Sequence, residues 1–300
     1  MNETLSKKLM LIVNPAAGRG AYKFYFAEAM QLLASAGYRV DLYYTAARGD
    51  APRFAADYAA GYDAVACIGG DGTLSEVIAG LLTVDNPPPL GYFPMGTSND
   101  VATSIGLPKN NVQEAAARLI AGRPHPYDVG LFEDKEHFAY IAGFGAFTDV
   151  SYTTPQDQKN VLGHLAYVLQ GLARLPSIET HHARVEWDDG EFEGDLVYGS
   201  LSNSTSVAGI VHFQEQMVSL SDGLSELVLV KSPTLPTDLA DLAASVLTQR
   251  FDSPMMIIAH THKARFVFDK PVAWTRDGEP GGLWQDVTLK NLHAPVQLIF

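Results

Sequence analysis

The sequence predicts a two-domain protein in which an α/β domain precedes a domain of antiparallel strands. Up to about Tyr127, short aliphatic runs alternate with segments of helical periodicity, whereas the later runs are longer, aromatic and alternating. The chain has 300 residues, 47% of them hydrophobic, which is enough for two packed cores. We place the α/β domain at residues 1–130, and a β-sandwich domain at residues 131–289.

The first half of the chain follows a β-α-β-α-β-α order. Its strands are short aliphatic runs that end at glycine, proline or other turn residues, and Gly37 supplies a helix stop. Cys67, the one cysteine, falls in an apolar run that indicates a buried strand. The predicted strands are Lys8 to Val13, Tyr38 to Thr45, Asp63 to Ile68 and Leu90 to Phe93, and the predicted helices are Tyr22 to Ala36, Asp50 to Ala60 and Leu74 to Leu82.

The second half is dominated by alternating runs that favour antiparallel pairing. The turn Asp188-Asp189-Gly190 between two such runs indicates a β-hairpin. The predicted strands are Ala183 to Trp187, Leu196 to Leu201, Glu226 to Val230 and Arg265 to Phe268, and the predicted helices are Lys159 to Leu175 and Leu235 to Arg250.

The chain is acidic, with a formal charge of −13 and a sequence pI near 5.0. This balance argues against a general nucleic-acid binder and against attachment to anionic lipid through total charge, although a local basic patch is compatible with it. Any membrane contact is therefore expected to rest mainly on apolar surface. The single cysteine, the polar amino terminus and the lack of an apolar run of about 18 residues predict a cytoplasmic protein.

The strongest motif is Gly69-Gly70-Asp71-Gly72-Thr73, placed between a predicted strand and a predicted helix. Adjacent glycines let the backbone turn tightly and present N–H groups, and a helix N-terminus favours phosphate. Asp71 would then stand beside phosphates, where a carboxylate requires Mg²⁺ or ordered water. We expect Asp71 to be a loop carboxylate that contributes little to the core. The alternative is a Gly-Asp-Gly turn without a ligand.

Two other phosphate-binding signatures fail when they are checked residue by residue. Gly91 to Gly96 has the glycine spacing of a P-loop, but Thr97 stands where that motif requires lysine. Gly18 and Gly20 begin a Gly-x-Gly pattern, but Lys23 occupies the place of the third glycine. A Walker-type NTPase and a Rossmann dehydrogenase are both disfavoured.

Further motifs follow the glycine-rich turn in a recognisable order. The full set is Asn14-Pro15-Ala16-Ala17-Gly18, Gly69 to Glu76, Gly96-Thr97-Ser98-Asn99-Asp100, Tyr127-Asp128-Val129-Gly130, Asp222-Gly223-Leu224 and Asp277-Gly278-Glu279. Together these motifs resemble the diacylglycerol kinase catalytic family, and most closely its soluble bacterial lipid kinases. The likeness extends over nearly the whole chain. The glycine-rich turn alone is also found in NAD kinases, whereas the ordered set is far more specific.

The resemblance implies ATP and Mg²⁺ as cofactors, with the active site in the cleft between the domains. It also implies that the last strand, Pro295 to Phe300, returns to the first domain, which then comprises residues 1–130 with 290–300. The implied nucleotide-binding residues are Asn14, Pro15, Ala16, Ala17, Gly18, Thr45, Gly69, Gly70, Asp71, Gly72, Thr73, Leu74, Ser75, Glu76 and Thr97. It also implies that Asp71, Asp100 and Asp128 orient water and the catalytic Mg²⁺, an ion that needs only one or two direct protein carboxylates. For Asp100, the alternative is an Asx turn or a helix cap.

By the same resemblance, Glu279 is the catalytic base that takes the proton of the attacking hydroxyl. Taken alone, it would be a turn residue in a glycine-rich loop from Trp274 to Gly282, but the other motifs favour the base. Asp222, with main-chain oxygens near Ser219 and Leu224, is similar to the family's structural Mg²⁺ site.

The sequence thus predicts a transferase of phospholipid metabolism that moves phosphate from ATP to diacylglycerol or a related lipid alcohol, giving a product such as phosphatidic acid. Its partners would be that lipid and, transiently, the inner face of the membrane. Nucleic acid is not expected, and a homodimer is left open. The alternatives are a kinase of the same superfamily that acts on a sphingoid or NAD, and a nucleotide-binding regulatory protein without catalysis.

Overall fold

The computed structural model describes residues 7–146, 179–207, 211–212, 218–248 and 253–300. The predicted helix Lys159 to Leu175 lies outside these residues. The chain divides into two compact units. The first comprises Met1–Val129, Leu220–Asp222 and His293–Phe300, and the second comprises Gly130–Ser219 and Gly223–Leu292.

A parallel sheet forms the centre of the first unit. Its strands are β1 (Lys7–Val13), β2 (Tyr38–Tyr44), β3 (Ala64–Gly69) and β4 (Leu90–Pro94), in the order β2-β1-β3-β4. The chain end extends this order, because Leu298 and Ile299 pair in parallel with Leu90 and Gly91. Strands β3 and β4 are buried along their whole length, as continuous apolar strands covered on both faces should be.

Helices connect these strands. They are a 3-10 helix (Ala17–Tyr25), α1 (Phe26–Ser35), α2 (Asp50–Tyr58), a short 3-10 turn (Ala59–Gly61), α3 (Asp71–Leu81), α4 (Asp100–Ser104) and α5 (Val112–Ala121). The single helix predicted from Tyr22 to Ala36 is instead a 3-10 segment followed by an α-helix. Helix α3 begins at Asp71, three residues before the predicted start, because Gly70 is extended and serves as its N-cap.

The core of the first unit lies between the sheet and its helices, and it includes Leu9, Leu11, Ile68 and Phe93. Cys67 lies in β3 with no exposed surface, as predicted. Its burial raises the pKa of the thiol.

The second unit is built from antiparallel strands and one described helix. Its elements are β5 (Pro124–Phe132), β6 (Glu136–Phe138), β7 (Ile141–Gly145), β8 (His181–Trp187), β9 (Gly190–Ser202), β10 (Ser206–Val207), β11 (Val211–His212), β12 (Ser225–Lys231), α6 (Pro236–Thr248), β13 (Met256–Thr261), β14 (Lys263–Arg276) and β15 (Glu279–Ile299). Strands β5 and β15 contribute residues to both units. The predicted hairpin is confirmed, since Trp187 pairs with Gly190 across a two-residue turn.

Aromatic side chains dominate the core of the second unit. The rings of Phe144 and Trp274 have centroids 5.0 Å apart, and Phe266 lies 5.1 Å from Trp274 in an edge-to-face arrangement. The predicted fold class, an α/β unit together with a unit of antiparallel strands, is confirmed. Across the described ranges, no helix is long and apolar enough to cross a membrane.

We expect Gly80→Ala to destabilise the first unit. A Cβ at Gly80 would lie 2.2 Å from the carbonyl oxygen of Pro52 and 2.7 Å from the Cβ of Ala55, so α2 and α3 would have to separate. The expected loss is about 1–3 kcal/mol of unfolding free energy, measured by urea denaturation. Gly72→Ala in the same helix is the matched control, because a Cβ there meets nothing within 4 Å. Equal stability of both variants would contradict the close packing of these helices.

Candidate functional site

The loops that follow β1, β3 and β4 meet at the carboxyl edge of the parallel sheet. The side-chain amide of Asn14, just after β1, donates to the hydroxyl of Thr73 in α3 at 3.0 Å. The N–H of Met95, just after β4, donates to the carbonyl of Gly69 at 2.7 Å. Two of the predicted nucleotide-binding segments, Asn14 to Gly18 and Gly69 to Glu76, are therefore joined directly.

Glycines allow these loops to approach at backbone distance. A Cβ on Gly96 would lie 2.5 Å from the Cα of Gly70, which leaves no space for a side chain on Gly96. Gly18 has a φ of +56°, and a Cβ there would meet the carbonyl oxygen of Met95 at 2.5 Å. Both positions need glycine for steric reasons, independently of any ligand.

The loop after β1 is shaped by Asn14. Its side-chain oxygen accepts the N–H of Ala16 at 3.0 Å, which forms an Asx turn, and its own N–H donates to the carbonyl of Ile68. Thr45, just after β2, donates its N–H to the carbonyl of Val13 at 3.0 Å. Thr45 thus lies at the same edge of the sheet as Asn14.

Asp71 points into the protein. The residue is only 7% exposed, and its carboxylate accepts the N–H of Asp100 at 2.9 Å through Oδ2 and the N–H of Val101 at 3.2 Å through Oδ1. Asp71 therefore caps helix α4 from a different part of the chain, in the way that an N-cap side chain would. The hydroxyl of Tyr92 lies 3.4 Å from Oδ1.

We expected a loop carboxylate that contributes little to the core, whereas Asp71 is the first residue of α3 and is buried. Burial raises the pKa of the Asp71 carboxyl, while the N–H bonds from Asp100 and Val101 and the charge of Lys109 act in the opposite direction. The residue spacing could not show this contact, because the two loops approach only through the fold. The structure brings Asp71 and Asp100 together, because the carboxylate of Asp71 accepts the backbone N–H of Asp100.

Asn99 is a buried residue of this site that the sequence reasoning gave no role of its own. It has no exposed surface, adopts a left-handed φ of +52°, and exchanges two hydrogen bonds with the backbone of Gly96 at 2.8 and 2.9 Å. Its side-chain oxygen also lies 3.2 Å from the hydroxyl of Tyr92. The preference of asparagine for turns with positive φ was the available signal.

The remaining predicted nucleotide-binding residues differ in exposure. Thr73 and Leu74 are buried, and the N–H of Leu74 donates to the carbonyl of Gly70 within the first turn of α3. Thr97 is exposed. Exposed positions also include Pro15 and Ala16, and half-buried positions include Ala17, Ser75 and Glu76.

Asp128 lies on β5 with no exposed surface. Its Oδ1 accepts the N–H of Ala294 at 2.7 Å, and the Nδ1 of His293 lies 3.3 Å from the same oxygen. Its own N–H donates to the carbonyl of Leu220 at 2.8 Å. These contacts connect Asp128 with two distant segments of the first unit, and Ala294 has a left-handed φ of +49° at this point.

In the second unit, Glu279 is the first residue of β15 and its side chain is exposed. It follows a two-residue hairpin turn, because Arg276 pairs with Glu279 and both Asp277 and Gly278 have positive φ, of +48° and +80°. Asp-Gly is a strong hairpin signal, so the sequence does contain this turn, within the segment that the sequence analysis describes as a glycine-rich loop.

Asp277 holds that hairpin against the strand β7 region. Its buried carboxylate accepts the N–H groups of Ala139, Tyr140 and Ile141 at 2.6, 3.0 and 3.1 Å, and its own N–H donates to the carbonyl of Ile141. The neighbouring Arg276 forms an ion pair with Glu136. Asp277 thus fixes the turn from which Glu279 extends.

The three residues of the predicted structural Mg²⁺ site differ in exposure and contacts. Ser219 and Asp222 are exposed, whereas the carbonyl of Leu224 accepts the side-chain N–H of Asn291 at 3.0 Å. Within the described part of the chain, no group of three or more His, Cys, Asp or Glu side chains is placed to hold a metal ion. The predicted set contains a single carboxylate, that of Asp222, and the site stays a prediction.

Comparison with known proteins identifies the family. Residues 8–132 match the family model described as the diacylglycerol kinase catalytic domain. A diacylglycerol kinase of Bacillus subtilis strain 168 is 31% identical over 278 residues, which is 92% of this chain and 91% of that protein. The chain belongs to the diacylglycerol kinase family. A diacylglycerol kinase of Staphylococcus saprophyticus is 34% identical over 77% of this chain and 75% of its own length.

Solved structures agree on the fold. A crystal structure of a diacylglycerol kinase from Bacillus anthracis strain Sterne gives a TM-score of 0.74 at 21% identity, covering 98% of this chain and 97% of that one. A second crystal structure from the same organism gives a TM-score of 0.79 at 24% identity, covering 100% of this chain and 98% of the other. The expected family membership is confirmed, and the chain is a kinase by that membership.

Replacing Asp71 in two ways separates its structural role from its charge. Asp71→Ala leaves the N–H groups of Asp100 and Val101 without their partner, so we expect a loss of about 1–3 kcal/mol in unfolding free energy. Asp71→Asn keeps an oxygen that can accept these bonds and should retain most of that stability. Both variants should lose phosphoryl transfer if the charge is needed. Near-normal turnover of Asp71→Asn would exclude a role for the charge.

Asp277 offers a second test. Asp277→Ala should lower the unfolding free energy by about 2–3 kcal/mol, which urea denaturation measures. It should also lower kcat, because the turn before Glu279 is no longer held in place. Asp277→Asn should recover part of both losses, since its amide oxygen can still accept. The control is Asp189→Ala, at the exposed tip of the β8–β9 hairpin, which should change neither quantity. Full activity of a destabilised Asp277→Ala protein would show that Asp277 serves stability alone.

Proposed function

We propose that the protein transfers the γ-phosphoryl group of ATP to the hydroxyl of diacylglycerol or a related lipid alcohol, giving a product such as phosphatidic acid. The observation that carries this proposal is the convergence of the β1, β3 and β4 loops at one edge of the sheet, joined by the Asn14–Thr73 and Asp71–Asp100 hydrogen bonds. The relatives named as diacylglycerol kinases support the acceptor class.

Phosphate binding would use backbone N–H groups at this edge. Helix α3 begins at Asp71, so the first N–H groups of the helix have no carbonyl one turn earlier to bond with. Such a helix end attracts anions, and the adjacent glycines leave space for phosphate oxygens beside the backbone. Asn14 and Thr73 hold the facing loop at a fixed distance from this helix end.

Mg²⁺, when bound, would neutralise negative charge on the phosphates and keep several of its waters. Asp71 and Asp100, which are in contact, would bind such an ion through its water. The Asp71 oxygens already accept backbone N–H groups, which orients the carboxylate but leaves lone pairs for bound water. Asp100 begins helix α4 next to Asp71, and Asp128 is the third carboxylate in this proposal. Ser219, Asp222 and Leu224 would hold a separate, structural ion.

Glu279 would act as the general base. An exposed carboxylate can accept a proton from the acceptor hydroxyl as the bond to phosphorus forms, and its place directly after a tight hairpin limits its backbone freedom. Phosphoryl transfer depends mainly on positioning and charge neutralisation, so the base supplies only part of the acceleration.

Glu279→Gln tests this role. The amide keeps the size of the side chain but cannot take a proton, so kcat should fall by about 10² or more while ATP binding changes little. The measurement is a steady-state assay with labelled ATP, Mg²⁺ and a panel of lipid alcohols, with identification of the phosphorylated lipid. Leu283→Ser, an exposed substitution on the same strand, controls for a general effect on β15. An unchanged kcat under conditions where chemistry limits turnover would remove the base, and phosphorylation of NAD alone would overturn the lipid acceptor.

A further inference from the structure

Lys109 is a basic residue of the first unit to which the proposed function gives no role. From position 54 to position 117 it is the only Lys, Arg or His, and this stretch contains both the turn after β3 and the turn after β4. The same turns carry the carboxylates of Asp71 and Asp100. Carboxylates repel nucleotide phosphates, so the one positive charge of this stretch bears directly on phosphate binding.

The backbone that follows Lys109 is fixed, although the residue itself is exposed. Asn110 has a left-handed φ of +59°, and its N–H donates to the carbonyl of Pro94, at the end of β4, at 2.8 Å. The next residue, Asn111, is the N-cap of α5, because its side-chain oxygen accepts two N–H groups at the start of that helix. The segment between α4 and α5 therefore returns Lys109 to the carboxyl edge of the sheet.

The side chain of Lys109 extends to the turn after β4. Its ammonium group donates to the carbonyl of Ser98 at 2.7 Å. Ser98 is adjacent to Thr97, which is one of the predicted nucleotide-binding residues and is exposed. An ammonium group has three N–H donors, and the bond to Ser98 uses one of them.

The charge of Lys109 also acts on Asp71. Burial raises the pKa of the Asp71 carboxyl, and the positive charge of Lys109 is among the effects that oppose this rise. The ammonium group therefore lies close to the turn after β3 as well as to the turn after β4. In the proposed function this is where Mg²⁺ would bridge the β- and γ-phosphates of ATP.

We propose that Lys109 is a nucleotide-binding residue whose ammonium group contacts the β- and γ-phosphates of ATP. A lysine ammonium group is a compact charge that can bind phosphate oxygens without the fixed planar geometry of a guanidinium group. The inference rests on the proposed function, because the ligand is the ATP named there.

The alternative role for Lys109 is to hold the turn after β4 through Ser98 alone. A contact of that kind would support the whole nucleotide, so its loss would weaken nucleotides with one or three phosphates equally. A phosphate contact, in contrast, affects only the ligand that carries the β- and γ-phosphates, and salt screens it.

Binding measurements on the full chain distinguish these roles without catalysis. The two ligands, both with Mg²⁺, are the non-hydrolysable analogue β,γ-imido-ATP, measured by calorimetry, and AMP, measured by ligand-observed NMR titration. For Lys109→Met, which keeps a long side chain without charge, we expect about tenfold weaker binding of the analogue and less than about a twofold change for AMP. Raising NaCl from about 0.05 to 0.5 M should reduce the difference between wild type and Lys109→Met.

Two further variants serve as controls. Lys109→Arg keeps the positive charge and should bind the analogue within about threefold of wild type. Lys8→Met makes the same change of charge at an exposed position near the start of β1, away from the carboxyl edge of the sheet, and should bind both ligands like wild type. Urea denaturation checks that each variant is folded.

Three outcomes overturn the phosphate contact. They are wild-type affinity of Lys109→Met for the analogue, an equal loss for the analogue and for AMP, and a loss that Lys109→Arg does not recover. The last two assign Lys109 to holding the turn after β4.

A kinase assay separates this inference from the proposed function. If no variant phosphorylates a lipid alcohol but binding of the analogue depends on Lys109, the phosphate contact stands and the proposed function fails. If Lys109→Met phosphorylates the lipid with an unchanged KM for ATP, the proposed function stands and the phosphate contact fails.

Discussion

The site depends on the hydrogen bonds between the Asp71 carboxylate and the backbone of Asp100 and Val101. They connect the turn after β3 with the turn after β4. Asp71 is 29 residues from Asp100 and 30 residues from Val101 in the chain. Asp71 is buried, so two backbone N–H groups and one carboxylate are satisfied by each other in a place with little water. The close approach of Gly70 to Gly96 and the two hydrogen bonds between Asn99 and Gly96 add further contacts between the same two turns.

Two aspartates of the family motifs, Asp71 and Asp277, hold backbone segments in place through hydrogen bonds to their carboxylates. Asp71 accepts N–H groups at the start of α4, and Asp277 accepts three consecutive N–H groups ahead of β7. Glu279, two residues after Asp277, is exposed instead. A motif such as Asp-Gly-Glu therefore combines a structural residue, a turn residue and a candidate for chemistry. Loss of activity on changing such an aspartate is not by itself evidence of contact with a ligand.

The sequence predicted the order of elements well because aliphatic runs and glycine-terminated helices report local structure. The strands of the first unit were placed within a residue or two, and the Asp188-Asp189-Gly190 hairpin was confirmed. The sequence could not predict contacts between segments that are distant in the chain. The Asn14–Thr73 bond spans 59 positions, and no local pattern shows which way the Asp71 side chain points. The start of α3 was misplaced because Gly70 and Gly72 weaken a helical pattern that tertiary contacts then stabilise.

The single cysteine provides a means of observing the first unit alone. Cys67 lies in β3, between β1 and β4, with no exposed surface and with a pKa raised by burial. A thiol in this state reacts with alkylating reagents only when the strand opens to solvent. The alkylation rate of the native protein therefore measures how often the sheet beneath the candidate nucleotide loops opens. Because the chain has no other thiol, the second unit does not contribute to the alkylation rate.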